Sequence, residues 1–259
     1  MSNVGSFAEA RTLVTQSLAR PYRVTVPMVL LVALVPFYIF IPELFPAHTR
    51  YFPALALDRA LPLLPSWALV YGALYLFLIV SPVLAVRDEE HIRRTVYAYL
   101  FVWIIAYAVF ILYPTEAPRP ARVVGEGFAV WGLYMLYSSD PPYNCFPSLH
   151  VAHSFVSALT VFRLHRKLGI GAILAATLVA LSTLFTKQHY VLDAMAGVLL
   201  AFVAYVIFLR AYPRDRVPAL DRQAAPAMAM CVAALSALFL IGYWLLYLIG
   251  GETRFDFRP

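Results

Sequence analysis

Seven apolar runs of roughly helix-spanning length recur along the 259-residue chain, at about 24–45, 66–86, 95–113, 147–162, 169–186, 190–209 and 224–248. An α-helix of about 20 apolar residues matches the roughly 30 Å hydrocarbon core of a bilayer and satisfies its own backbone there. A chain that is 62% hydrophobic and 13% charged also carries far more apolar surface than one soluble core needs. The expected fold class is therefore all-α: a polytopic membrane helix bundle of about six core transmembrane helices plus one additional C-terminal span. Pro27, Pro36 and Pro42 in the first run suit a membrane helix, where neighbouring helices satisfy the freed backbone groups. That run is too long for the apolar part of a signal peptide, so no cleavable leader is expected. The chain divides into an N-terminal segment 1–23, a membrane domain 24–210, and a basic connection, seventh span and short tail over 211–259. In the first segment, Phe7, Ala10, Val14 and Leu18 at helical spacing suit an interfacial helix as well as a solvated tail.

The formal charge of +6 does not point to nucleic acid, because the basic residues form short clusters between apolar runs rather than a stripe. They act instead as topology signals. Counted by alternate sides, thirteen Lys and Arg lie on one side (1–23, 87–94, 163–167, 210–222) and seven on the other. Cytoplasmic connections hold the excess, so the N-terminus is expected inside and the C-terminus outside. His150, His189 and the long 114–146 connection then share the non-cytoplasmic face. Short termini and loops point to a bacterial inner membrane. Two cysteines, Cys145 and Cys231, give neither a disulfide framework nor metal-ligand spacing.

Ionisable groups at the edge of apolar runs are costly and usually functional. Two stretches stand out: Cys145-Phe146-Pro147-Ser148-Leu149-His150, and Ser182 through Asp193, which contains Lys187-Gln188-His189. Pro147 suits a first helical turn, so Ser148 and His150 fall where free N–H groups favour an anion. His189 and Asp193 are spaced i, i+4, which lets the carboxylate fix one imidazole nitrogen and leave the other as a lone-pair donor. Arg119 and Lys187 add cations at the same face. An oriented imidazole, cations and a helix N-terminus together describe a phosphate-handling site. Blander readings stand beside these. A single intramembrane His is often a helix–helix hydrogen bond, Arg119 can anchor at headgroups, and Lys187 can snorkel. His153, i+3 from His150, invites a metal reading, but the zinc-protease Glu is missing. A second class of function is a transporter that uses His and Asp as a proton or ion site, although no internal repeat favours it.

These residues resemble the type 2 phosphatidic acid phosphatase superfamily, and within it the branch of inositol phosphorylceramide and sphingomyelin synthases. Arg119-Pro120 matches the end of the first motif, Pro147-Ser148-Leu149-His150 the second, and Ser182, His189 and Asp193 the third. The resemblance covers about 113–197. Leu112 stands where the first-motif lysine belongs, Leu149 replaces a glycine, and Thr183 replaces the third-motif arginine. The resemblance implies a membrane phosphohistidine enzyme, a lipid phosphatase or phosphotransferase. His189, aligned by Asp193, would be the nucleophile and His150 the acid and base, while Arg119, Lys187 and Ser148 would bind phosphate. It implies a lipid phosphate or phospholipid donor, an acceptor that is water or a lipid alcohol such as ceramide or diacylglycerol, and neither metal nor cofactor.

Overall fold

The computed structural model describes residues 22–250 and 254–259, with positions 8, 11, 12 and 15 of the N-terminal segment. The interfacial helix expected over 1–23 thus lies almost wholly outside the described residues. Helix α1 (Tyr22–Leu34) continues through a 3₁₀ stretch, Val35–Phe40, and one further turn, Ile41–Leu44. It is followed by α2 (Ala56–Ala60), α3 (Trp67–Ala85) and α4 (Glu89–Leu112). The 114–146 connection contains strand β1 (Val123–Glu126) and helix α5 (Phe128–Ser139). Next come α6 (Leu149–Leu164), α7 (Arg166–Phe185) and α8 (Val191–Ala204), the last continued by a π turn over Tyr205–Leu209. Helix α9 (Ala219–Gly250) and strand β2 (Arg254–Phe257) close the described chain.

Among the described residues six helices are long and apolar enough to cross a bilayer, and α6 is a shorter seventh apolar helix. This is the polytopic bundle that the apolar runs predict. The third span starts earlier than the run itself, because Asp88 caps α4 by accepting from the His91 N–H at 2.8 Å and draws the charged cluster into the first turn. The main core lies where α1, α4, α6 and α8 meet, around Met28, Val102, Ala106, Ala152, Val156 and Ala201.

Two features place the functional face. The 16 residues of α6 give about 24 Å, short of a full crossing, and its second residue, His150, faces Asp140 of the 114–146 connection. On the same face, β1 pairs antiparallel with β2, Val123 opposite Phe257 and Glu126 opposite Arg254. The tail after α9 therefore lies on the side of the 114–146 connection, as the number of spans requires.

Candidate active site

Gly197 of α8 faces the first turn of α6 so closely that a Cβ there would stand 2.6 Å from the Ser148 carbonyl oxygen and 3.1 Å from the Val151 Cβ. Its missing side chain lets the two helix starts press together. Ser148 N–H donates to the Asp193 carbonyl at 3.0 Å and ties them further. Ser148 is the N-cap of α6, its hydroxyl accepting from the Val151 N–H at 3.3 Å. Pro147, expected inside the first turn, stands one residue before that cap, so His150 is the second helical residue.

His189 reaches the same place by a different device. After α7 ends, the Gln188 N–H returns to the Thr183 carbonyl at 2.9 Å and the Lys187 N–H to Leu184 at 3.2 Å, the two bonds of a Schellman cap. Lys187 occupies the left-handed position of that cap, with φ +56° where glycine is usual. The turn aims Gln188 and His189 inward and Lys187 outward. The Lys187 ammonium donates to the carbonyls of Asp58 at 2.9 Å and Leu61 at 2.7 Å. Burial there pulls its pKa below the usual lysine value, with Asp58 opposing the shift. Asp58 meanwhile accepts from the Val191 N–H at 2.8 Å, a carboxylate at the positive end of α8. The segment around α2 is thus clamped to the start of α8.

The two histidines meet. His150 Nδ1 and His189 Nε2 are 3.2 Å apart, and His189 Nδ1 lies 3.4 Å from Asp193 Oδ2. Asp193 is fully buried and its Oδ2 accepts from the Tyr190 N–H at 2.8 Å. On the far side, His150 Nε2 faces Asp140 Oδ2 at 3.8 Å. The four groups form a line, carboxylate, imidazole, imidazole, carboxylate. Tyr38 donates its hydroxyl to Asp140, and Gln188 Nε2 donates to Asp140 at 3.1 Å. Arg119 donates from Nε to Gln188 Oε1 at 3.0 Å and from Nη2 to the Asp140 carbonyl at 2.6 Å, with its guanidinium 4.2 Å above the Tyr137 ring. Burial pulls the Arg119 pKa below its usual value and Asp140 opposes the shift; a guanidinium with so high a starting value stays charged.

His150, His189, Asp193 and Arg119 are thus brought into one network. Lys187 and Ser148 are not: one clamps the α2 segment and the other caps α6. The sequence reasoning missed Asp140, Tyr38 and the role of Gln188. A signal for Asp140 existed, since it is the sole acidic residue between Glu126 and Asp193. Tyr71 and Tyr75 also pack edge-on to the His150 ring, at 5.3 and 4.9 Å between centroids. A narrow cleft bounded by Tyr38, Asp140, Tyr143, Cys145, His150 and His189 gives access. His153, one turn along α6, is held apart: Trp103 Nε1 donates to its Nε2 at 2.6 Å, and its ring stacks on Tyr99. A ring nitrogen that accepts from indole has no lone pair left for a metal.

Comparison with known proteins bears on the family of the chain. A PA-phosphatase related-family protein of Dictyostelium discoideum is 22% identical over 120 residues, which is 42% of this chain and 22% of that protein. The chain thus spans about a fifth of the length of that relative. No solved structure matches the chain. A family model described as the PAP2 superfamily matches residues 54–207, which include every residue of the histidine line, Arg119 and Gln188, and more than half of the chain. The chain belongs to the PAP2 superfamily.

Proposed function

We propose that the protein is an integral-membrane phosphohistidine enzyme that transfers a phosphoryl or phospho-headgroup from a lipid phosphate to a hydroxyl, of water or of a lipid alcohol. The observation that carries this reading is the line Asp193, His189, His150, with 3.4 and 3.2 Å between its members. A carboxylate at Nδ1 leaves the His189 Nε2 lone pair free to attack phosphorus, and His150 is the neighbour able to protonate the departing oxygen. His150 then takes the proton from the acceptor hydroxyl as the phosphohistidine is resolved. Because the imidazoles face each other directly, the phosphoryl group enters by parting that contact. Arg119 supplies the cation for its oxygens. Gln188 stands between Arg119 and Asp140 and keeps the guanidinium from collapsing onto the carboxylate.

The acceptor proposed here includes a lipid alcohol such as ceramide or diacylglycerol, as in the synthase branch that the Leu149 variant of the second motif resembles. An apolar face formed by Leu184, Val191, Met195, Val198 and Phe202 flanks His189 on both sides in sequence and opens outward. Chains of a lipid substrate can lie along it while the phosphate reaches the cleft. Extracting such chains costs about 0.8 kcal/mol per CH₂, so lateral entry is the cheaper route.

The test is a trapped phosphoenzyme. Purified protein is offered a panel of labelled lipid phosphates, with and without ceramide or diacylglycerol, and acid-labile, base-stable label on the protein is counted with the lipid products. His189→Ala is expected to lose both label and turnover. His150→Ala is expected to keep label from substrates with good leaving groups while slowing its release. Near-normal turnover in His189→Ala would refute the proposal.

A further inference from the structure

Cys145 has no part in the reaction above, yet its thiol lies at the back of the nucleophile. Cys145 Sγ, a ring nitrogen of His189 and an Asp193 carboxylate oxygen lie within 4.8 Å of one another, and all three residues are buried. Two of these side chains hold polar atoms that are enclosed without completing a hydrogen bond among the described residues: His189 Nδ1 and Asp193 Oδ1. The Cys145 backbone is held from behind, since Thr115 Oγ1 accepts from the N–H groups of Cys145 at 2.9 Å and Phe146 at 3.0 Å, and the thiol itself donates to the Pro142 carbonyl at 3.8 Å. Cys145 and His189 both border the cleft.

We propose that Cys145, His189 and Asp193 form a zinc-binding site whose occupation switches the enzyme off. Thiolate, imidazole and carboxylate are the donor set that borderline-soft Zn²⁺ prefers, with three protein ligands and water at the fourth position. Bonds of about 2.0–2.3 Å in a tetrahedron place donor atoms about 3.3–3.7 Å apart. The His189 Nδ1 to Asp193 Oδ2 distance of 3.4 Å is already such an edge. The remaining edges, from Cys145 Sγ, lie within 4.8 Å and close by turning the thiol away from the Pro142 carbonyl.

The chemistry of the switch follows from the tautomer. Zinc forms bonds to Sγ, to Nδ1 and to the carboxylate; the thiol proton leaves to water, and the Nδ1 proton is replaced by one on Nε2. Nothing is oxidised or reduced. The nitrogen that carries the attacking lone pair then carries a proton, and the carboxylate that oriented the ring belongs to the metal. In the metal-free enzyme the enclosed thiol directs its proton at the Pro142 carbonyl. Zinc must displace that proton to bind.

The site itself does not depend on the phosphohistidine reading, whereas its effect on activity does, and the experiment separates the two. Tag-free protein carrying Cys231→Ala is titrated with Co²⁺ as a spectroscopic stand-in. One equivalent is expected to produce a thiolate-to-cobalt charge-transfer band that zinc removes, and Cys145→Ser and Cys145→Ala are both expected to lack it. In parallel, phosphate release is followed against zinc. Inhibition reversed by a chelator is expected, with the half-inhibiting concentration raised at least about tenfold in Cys145→Ser, each protein being measured against its own metal-free activity. Absence of the band, or equal zinc sensitivity in the Cys145 variants, overturns the proposal. A band that appears while zinc leaves turnover intact supports the site and instead refutes His189 as the nucleophile.

Discussion

Gly197→Ala is the sharpest probe of how the two histidines are held. The added Cβ would meet the Ser148 carbonyl oxygen at 2.6 Å, against about 3.4 Å for ordinary contact, and that partner is backbone rather than a side chain able to rotate away. The starts of α6 and α8 must therefore separate by about 0.8 Å. The separation passes directly to the His150–His189 pair, whose 3.2 Å contact would open to about 4 Å and cease to be a hydrogen bond. Overpacking of this kind costs about 1–3 kcal/mol, partly offset by about 1 kcal/mol from the better helix propensity of alanine. Misplacement of reacting groups by nearly 1 Å costs about 10²-fold in rate. The expectation is a protein that still folds, with a midpoint lowered by a few degrees and phosphate release from lipid phosphate micelles down about a hundredfold. Gly171→Ala is the control, because a Cβ at that helical glycine meets nothing within 4 Å. If Gly197→Ala kept activity within twofold and gained stability like an ordinary helical Gly→Ala change, the close approach would not be what positions the pair.

Asp140→Asn keeps the shape but removes the charge facing His150 Nε2, and turnover is expected to fall about 10²-fold at unchanged helical content; an unaffected kcat would remove Asp140 from the proton path. Lys187→Met releases the clamp on the Asp58 and Leu61 carbonyls, and about 1 kcal/mol of stability should be lost with KM little changed; a large rise in KM would return Lys187 to phosphate binding. Chelators are expected to leave activity intact or raise it, and loss restored by one metal would contradict the metal-free scheme. Single cysteines at Ser138 and Arg166, in a background lacking Cys145 and Cys231, report orientation: an impermeant thiol reagent on intact cells should label position 138 and spare 166, and the reverse would invert the assigned face.

The spans were legible because an apolar run of sufficient length has one stable destination, and the local spacing of His189 and Asp193 was legible because i, i+4 neighbours meet on any helix. The convergence of Arg119, His150 and His189 followed from counting crossings. What the sequence withheld is what depends on a single turn or on distant partners. Lys187 read as a phosphate ligand from its neighbourhood, but its left-handed backbone sends the side chain away from the histidines. Ser148 read as a ligand and serves as a cap. Asp140 joins the site only because α5 ends there, inside a connection that read as one long loop, and nothing local to 123–126 announces a strand whose partner lies at 254–257.

That pairing also fixes when the enzyme can become complete. Strand β1 precedes α6, α7 and α8, whereas β2 follows α9, so more than a hundred residues separate the two halves of one small ladder. The ladder that joins the 114–146 connection to the tail therefore forms only once α9 has delivered β2, whereas α5 packs through Leu133, Leu136 and Tyr137 against Ala68 and Tyr71 of α3 without it. Non-local closure of this kind comes late in assembly. A nascent chain stalled before α9 would carry the whole histidine line without this ladder, so a span that contributes no reacting group still completes one face of the protein.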